Sequence, residues 1–128
     1  MYQDKAMLLV EALRSGEYPQ SRCALCFVEQ YDDDRPAGFC CLGVACEVAI
    51  KNGVPVEVTV SGATKSYDHQ SGYMPHRVVD FFGFQDDHGG TRDRQRVLGE
   101  HSSLAEANDH RVSFADIANY IEANYANL

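Results

Sequence analysis

Residues 39–46 carry no polar side chain, and this stretch constrains the fold more than any other part of the sequence. A helix here would be apolar on every face, and such a helix is buried. The segment also has a clear end: Lys51 lies in the last turn, Gly53 is placed for a left-handed cap and Pro55 follows. The sequence therefore predicts a central buried helix over residues 39–51.

Helical spacing predicts further elements at both ends of the chain. Tyr2, Ala6, Leu9 and Leu13 fall on one helical face, and Gly16 can end that helix. Towards the other end, two serines lie at helix starts. Ser103-Leu104-Ala105-Glu106 is a capping box, and Ser113 begins the last helix, whose apolar stripe is Phe114, Ile117, Ala118, Ile121 and Tyr125.

The middle of the chain holds the strand signals. Residues 23–31 are rich in aromatic and branched side chains, and residues 56–60 alternate between valine and polar residues. Pro75 is placed at the first position of a short helix that ends at Gly83. Together these patterns predict an α+β fold, mainly helical, with a small antiparallel sheet, and 128 residues predict a single globular domain over 1–128.

The net charge of the chain limits the classes of partner that it can bind. A formal net charge of −8 disfavours duplex DNA and anionic membranes as partners, and no run of apolar residues reaches the length of a membrane helix. No export signal opens the sequence, so we expect a cytoplasmic protein. Acidic runs at 32–34 and 86–87 contrast with arginines at 92, 94 and 96.

Five cysteines raise the question of metal or thiol chemistry. Cys23 and Cys26 form half of a zinc clip, and Cys40 with His69, His76 or His88 would have to complete it. Most free cysteines of a reducing compartment are instead small buried hydrophobic residues. We therefore favour buried thiols over zinc and expect no cofactor.

An enzyme is the alternative that the reactive side chains leave open. It would use Cys40 or Cys41 with His101 and Asp109, and would need a partly exposed thiol with a lowered pKa. An apolar helix is the wrong environment for a thiolate, so we lean towards a protein that is not an enzyme.

Candidate ligand-binding residues lie at two helix ends. Arg14, Ser15, Gln20 and Arg22 follow the first helix, where arginine forks could pair with phosphate oxygens. Asn108 and Asp109 end the capped helix near the C-terminus, and turn geometry alone also accounts for that pair. These six residues are the predicted ligand-binding set, with residues 92–96 in reserve.

Five segments carry a resemblance to a known group of proteins. They are Ala12-Leu13-Arg14-Ser15-Gly16-Glu17-Tyr18-x-Gln20, Phe39-Cys40-Cys41-Leu42-Gly43-Val44-x-Cys46, Ser71-Gly72-Tyr73-Met74-Pro75, Ser103-Leu104-Ala105-x-x-Asn108-Asp109 and Ser113-Phe114-x-x-Ile117-Ala118-x-x-Ile121-Glu122. The chain resembles a family of small uncharacterised bacteriophage proteins over nearly its whole length. Residues 20–23 depart from the glycine-containing stretch of that family, which further disfavours zinc.

The resemblance implies a phage-encoded protein of the host bacterial cytoplasm and transfers no activity. We expect a non-enzymatic binding protein that counters host defence, by sequestering a small nucleotide-like ligand or by blocking a host protein. A third hypothesis is an acidic protein that occludes a basic host surface, with 32–34 and 86–87 as its contacts. Self-association is left open.

Overall fold

All 128 residues are described by a computed structural model of the chain. Five helices alternate with four short strands, and a 3₁₀ turn over Tyr125–Asn127 closes the chain. In chain order the elements are α1 (Gln3–Arg14), β1 (Cys26–Phe27), β2 (Gly38–Phe39), α2 (Cys41–Lys51), β3 (Val58–Ser61), β4 (Thr64–Tyr67), α3 (His76–Phe82), α4 (Leu104–Asp109) and α5 (Phe114–Asn124). The fold is α+β with helix predominating, as the sequence predicts.

Helix α2 is the buried centre of the fold, although it begins two residues later than predicted. Phe39 is still extended, because its strand pairs with β1 and its N–H donates to the Pro19 carbonyl at 2.8 Å. Cys40 is the N-cap, where its sulfur accepts the Gly43 N–H at 3.4 Å. Gly43 lies so close to the backbone of Leu25 that a Cβ there would be 1.8 Å from the Leu25 carbonyl oxygen. The apolar stretch therefore packs by its backbone as well as its side chains.

The sheet is antiparallel throughout, with the strand order β2-β1-β4-β3. Strand β1 covers only two of the nine residues predicted from 23–31. Cys23 has a left-handed backbone with φ of 75°, which ends the extended conformation on one side. On the other side, the chain turns back at Asp32, whose carboxylate accepts the Arg35 N–H at 2.9 Å. These two turns leave room for one short strand.

Strand β3 forms an exposed edge of the sheet and begins at Val58 rather than at residue 56. Val58 and Val60 are 40% and 58% exposed, so the alternation of valine with polar residues does not mark a buried face here. The strand pairs with β4 on one side only. The pattern predicted a strand correctly, and the structure places that strand at an exposed edge.

Side-chain caps fix where the two C-terminal helices, α4 and α5, begin. The Ser103 hydroxyl accepts the Glu106 N–H at 3.1 Å, and the Ser113 hydroxyl accepts the Asp116 N–H at 3.2 Å. The return bond of the capping box differs from the expectation, because the Glu106 carboxylate accepts the N–H of Ser102 rather than that of Ser103. That bond fixes the direction from which the chain enters α4.

Helices α1 and α3 also differ slightly from their predicted forms. In α1, Ala6, Leu9 and Leu13 face the core, whereas Tyr2 is the N-cap and is 58% exposed. Helix α3 begins after Pro75, which is its N-cap rather than its first helical residue, and ends at Gly83 as predicted. The core groups 28 buried residues around α2, and α1 packs against α5. None of the helices combines the length and apolar character that crossing a membrane requires.

Candidate functional site

A buried polar network joins distant parts of the chain beside the start of α2. The Asn108 Oδ1 atom accepts the Cys41 N–H at 3.1 Å and the Gln20 Nε2 at 3.0 Å, while Asn108 Nδ2 donates to the Ser21 carbonyl at 2.8 Å. Gln20 also donates to the Val112 carbonyl at 2.8 Å. Because Asn108 is fully buried, this Gln20–Asn108 network holds the fold together.

The network places two of the six predicted ligand-binding residues in structural roles. The Gln20 amide oxygen accepts the Phe114 N–H at 3.2 Å, so both ends of this side chain bind the protein itself. Asp109 lies next to the network and accepts the Cys23 N–H at 2.8 Å through Oδ1. Its Oδ2 has no partner within the chain, so Asp109 alone of these three side chains has a hydrogen-bonding atom available to a ligand.

The other three predicted residues point to different partners and do not form a common rim. Arg14 pairs with Glu122 at 3.2 Å and donates to Asn119 at 2.7 Å, both on α5. The Ser15 hydroxyl donates to the carbonyl of the preceding helical turn at 2.6 Å. Arg22 donates to the backbone carbonyl of Asp34, and its Nε is buried without a partner. These side chains stabilise the ends of loops and helices.

The cysteines are free thiols, four of them buried and only Cys23 exposed. No group of three His, Cys, Asp or Glu side chains is arranged to hold a metal ion, and this includes Cys23, Cys26 and Cys40, the set that the alternative zinc hypothesis would need. Burial raises the pKa of the Cys40 thiol to about 12 and that of Cys41 well above its ordinary value. Both thiols are therefore protonated at neutral pH.

The alternative catalytic group is only partly brought together, because Cys40 and Asp109 line one cavity that His101 does not line. The Cys41 sulfur donates to the Leu104 carbonyl at 3.6 Å and makes no hydrogen bond with His101. His101 is buried, stacks edge-on against His110 with ring centroids 5.3 Å apart and contacts the Glu100 carboxylate at 3.3 Å. A protonated thiol that makes no hydrogen bond with a histidine lacks the activation of a Cys–His pair.

Four of the five carboxylates in the acidic runs bind groups of the protein itself. Asp32 pairs with Arg35, and Asp34 pairs with Arg111 at 3.0 Å. Asp86 Oδ1 accepts the N–H groups of His88 and Gly90 at 3.1 and 2.9 Å. A further run member, Asp87, contacts the His88 ring at 2.9 Å. These carboxylates order loops, which is a role that the charge pattern alone does not reveal.

A groove runs along α4 and is the most promising place for a ligand. One cavity of about 270 Å³ lies over Cys23 and Cys40, and it shares Tyr73, Ala105 and Asp109 with a second cavity of about 490 Å³. A third cavity, of about 340 Å³, shares His88 and Ser102 with the second. The three adjoining cavities are called the α4 groove below, and their sizes suit a small molecule.

Aromatic and acidic side chains line the middle of the α4 groove. The rings of Tyr73 and His88 lie 5.7 Å apart at an angle of 53°, and Tyr73 is 52% exposed. Glu106 and Asp109 project from α4 into the same cavity. The Ser102 N–H, with lesser contributions from His110 and His101, holds the pKa of Glu106 below its ordinary value. This part of the groove therefore offers an exposed tyrosine ring beside negative acceptors.

Two arginines at the far end of the α4 groove have no partner. Arg94 and Arg96 line the third cavity, and their guanidinium groups make no hydrogen bond or ion pair. The other six arginines, by contrast, each bind a carboxylate or a backbone carbonyl; these are Arg14, Arg22, Arg35, Arg77, Arg92 and Arg111. The two free guanidinium groups are thus available for an external anion.

Sequence reasoning named part of this groove and missed its centre. Asp109 belongs to the predicted ligand-binding set, and residues 92–96 were its reserve. Tyr73 was noticed only within a motif, and His88 only as a candidate zinc ligand. No local pattern links these positions, because they come from separate loops that backbone hydrogen bonds bring together: the Met74 N–H donates to the Asp87 carbonyl at 3.0 Å, and the Ala105 N–H donates to the His88 carbonyl at 3.2 Å. These residues could be identified as lining one groove only from the tertiary contacts of the fold.

The fold and groove define a small α+β protein with a solvent-open polar cleft beside α4. The chain belongs to the family described as a domain of unknown function, DUF8296, which matches residues 1–125. Comparison with curated proteins and with solved structures gives no significant match. The family therefore covers nearly the whole chain and brings no activity with it.

Proposed function

We propose that this protein is a non-enzymatic binding protein that holds a small nucleotide-like ligand in the α4 groove. The single observation that carries the proposal is that the two unpartnered arginines, Arg94 and Arg96, lie in the same groove as the exposed Tyr73–His88 ring pair. A nucleotide has the matching chemistry, with anionic phosphates at one end and a flat ring at the other.

The phosphate end of the ligand is assigned to the two arginines. A guanidinium group donates through a planar fork and pairs with two phosphate oxygens at once. Asp86 also lines this cavity, but its carboxylate already accepts two backbone N–H groups and the Gln85 amide. These bonds partly satisfy the only carboxylate in the cavity, and the two guanidinium groups outnumber it, which favours anion binding there despite the negative charge of the whole chain.

The ring end of the ligand is assigned to Tyr73 and His88. Exposed aromatic rings stack on nucleobases, and such stacking is worth about 1–3 kcal/mol per base. Two thiols line the adjoining cavity: Cys40, whose pKa of about 12 keeps it protonated, and the exposed Cys23. The protonation of Cys40 supports binding over covalent chemistry at that thiol. The biological role that follows is the one expected from the resemblance to phage proteins: sequestration of a nucleotide-derived host signal in the bacterial cytoplasm.

A nucleotide panel tests the proposal. The melting temperature of the purified protein is measured with mono-, di- and triphosphate nucleosides, because a ligand at a hundred times its dissociation constant stabilises by about 2.7 kcal/mol. The double variant Arg94→Ala/Arg96→Ala should lose the shift and bind at least tenfold more weakly. Arg111→Ala is the matched control, since this exposed arginine pairs with Asp34 away from the groove.

The result that contradicts the proposal is equally clear. If no nucleotide shifts the melting temperature, or if the double variant binds as tightly as the wild type, the α4 groove does not hold the ligand. If the wild-type protein binds no nucleotide but captures a host protein in a salt-sensitive manner, the hypothesis of an acidic protein that blocks a host surface is favoured instead.

A further inference from the structure

Two carboxylates beside the ring pair each keep one oxygen free. Glu106 uses Oε2 to accept the Ser102 N–H, and Asp109 uses Oδ1 to accept the Cys23 N–H. Glu106 Oε1 and Asp109 Oδ2 have no partner in the chain, and both side chains line the cavity that holds Tyr73 and His88. Because they are three residues apart on one helix, the two carboxylates lie on the same face of α4.

We propose that this pair of carboxylates selects guanine as the base of the bound nucleotide. The inference rests on the proposed function and names the ligand class within it. A guanine base carries a ring N–H and an exocyclic amino group side by side on one edge, so it offers two adjacent donors to two acceptors. Its ring would stack on Tyr73 while that edge faces Glu106 and Asp109.

The other bases match this arrangement less well. Adenine and cytosine each place one amino donor next to a ring nitrogen that accepts, and a carboxylate repels that lone pair. Uracil has one ring N–H between two carbonyl oxygens. Only guanine satisfies both free carboxylate oxygens, and a charged acceptor left without a donor in a partly enclosed site is unfavourable.

The bonds that already orient the carboxylates strengthen the selection. The Cys23 and Ser102 N–H groups fix one oxygen of each side chain, so little side-chain freedom is lost when a ligand arrives. The two anchoring amides belong to separate loops that meet at α4. The acceptor pair is therefore positioned before the ligand binds.

Isothermal titration with four diphosphates tests the assignment. We expect GDP to bind at least tenfold more tightly than IDP, which lacks only the exocyclic amino group, and more tightly than ADP. Asp109→Asn and Glu106→Gln each keep the oxygen that accepts the backbone N–H and replace the free oxygen with an amide donor. Both variants should lose the preference of GDP over IDP, and Glu122→Gln on α5 should keep it.

The fourth ligand, 2′-deoxy-GDP, separates base recognition from sugar recognition. Equal binding of GDP and 2′-deoxy-GDP supports the inference. If removal of the 2′-hydroxyl weakens binding while GDP and IDP bind alike, the carboxylates hold the ribose and the inference is wrong, although the proposed function stands. If none of the four diphosphates binds, both fail. A single cooperative melting transition of each apo variant verifies that it is folded.

Discussion

Replacement of Asn108 by alanine removes the centre of the Gln20–Asn108 network. Three hydrogen bonds are lost, those with the Cys41 N–H, the Gln20 amide and the Ser21 carbonyl. Each such bond contributes about 1 kcal/mol, and buried groups left without a partner add to the loss. We therefore expect Asn108→Ala to lower the free energy of unfolding by about 3 kcal/mol, a large share of the roughly 5–15 kcal/mol of a typical domain.

Urea unfolding followed by circular dichroism measures this loss directly. The matched control is Asn119→Ala, which removes an exposed asparagine that accepts a hydrogen bond from Arg14. The control should change the free energy of unfolding by less than about 0.5 kcal/mol. If Asn108→Ala is no more destabilising than Asn119→Ala, the network does not hold the fold together and its groups find other partners.

Three further predictions concern packing, thiol reactivity and pH. Gly43→Ala should destabilise by about 3 kcal/mol or more although alanine favours helices, because its Cβ would meet the Leu25 carbonyl oxygen; a stable variant in urea unfolding would contradict this packing. A thiol reagent at pH 8 should label Cys23 alone in the folded protein and all five cysteines in denaturant, and rapid labelling of Cys40, whose pKa is about 12, would refute its burial. The wild type should be more stable than Glu106→Gln above pH 4.5, and this difference should disappear as the pH falls through the lowered pKa of the Glu106 carboxyl. Urea unfolding midpoints of both proteins across this pH range measure the difference, and a difference that does not depend on pH would contradict the prediction.

Local patterns predicted the elements whose causes are local. The apolar stretch specified α2, and Ser103 and Ser113 cap their helices as their positions indicate. The start of α2 was misplaced by two residues, because Phe39 is drawn into the sheet by a carbonyl twenty positions earlier in the chain. That competition between strand and helix is decided by a tertiary contact, which no window of sequence contains.

The candidate site was harder to predict than the fold. Asn108 and Asp109 are adjacent in sequence, yet one is fully buried in the network and the other opens onto the α4 groove. Arg22 and Arg94 look alike in a sequence, but only Arg94 lacks a partner. A polar residue is available to a ligand only if no group of the protein already binds it, and the groups that could do so come from distant loops.

The length of chain enclosed by the network bears on how the protein is made. The side chain of Gln20 binds Asn108 and Val112, which lie 88 and 92 positions later in the chain. The Cys41 N–H at the start of α2 binds the Asn108 side chain, 67 positions later. During synthesis, the most apolar helix therefore emerges from the ribosome long before its polar partner exists. Folding that depends on such distant contacts is slow, and a growing chain with an exposed apolar helix is a natural client of chaperones.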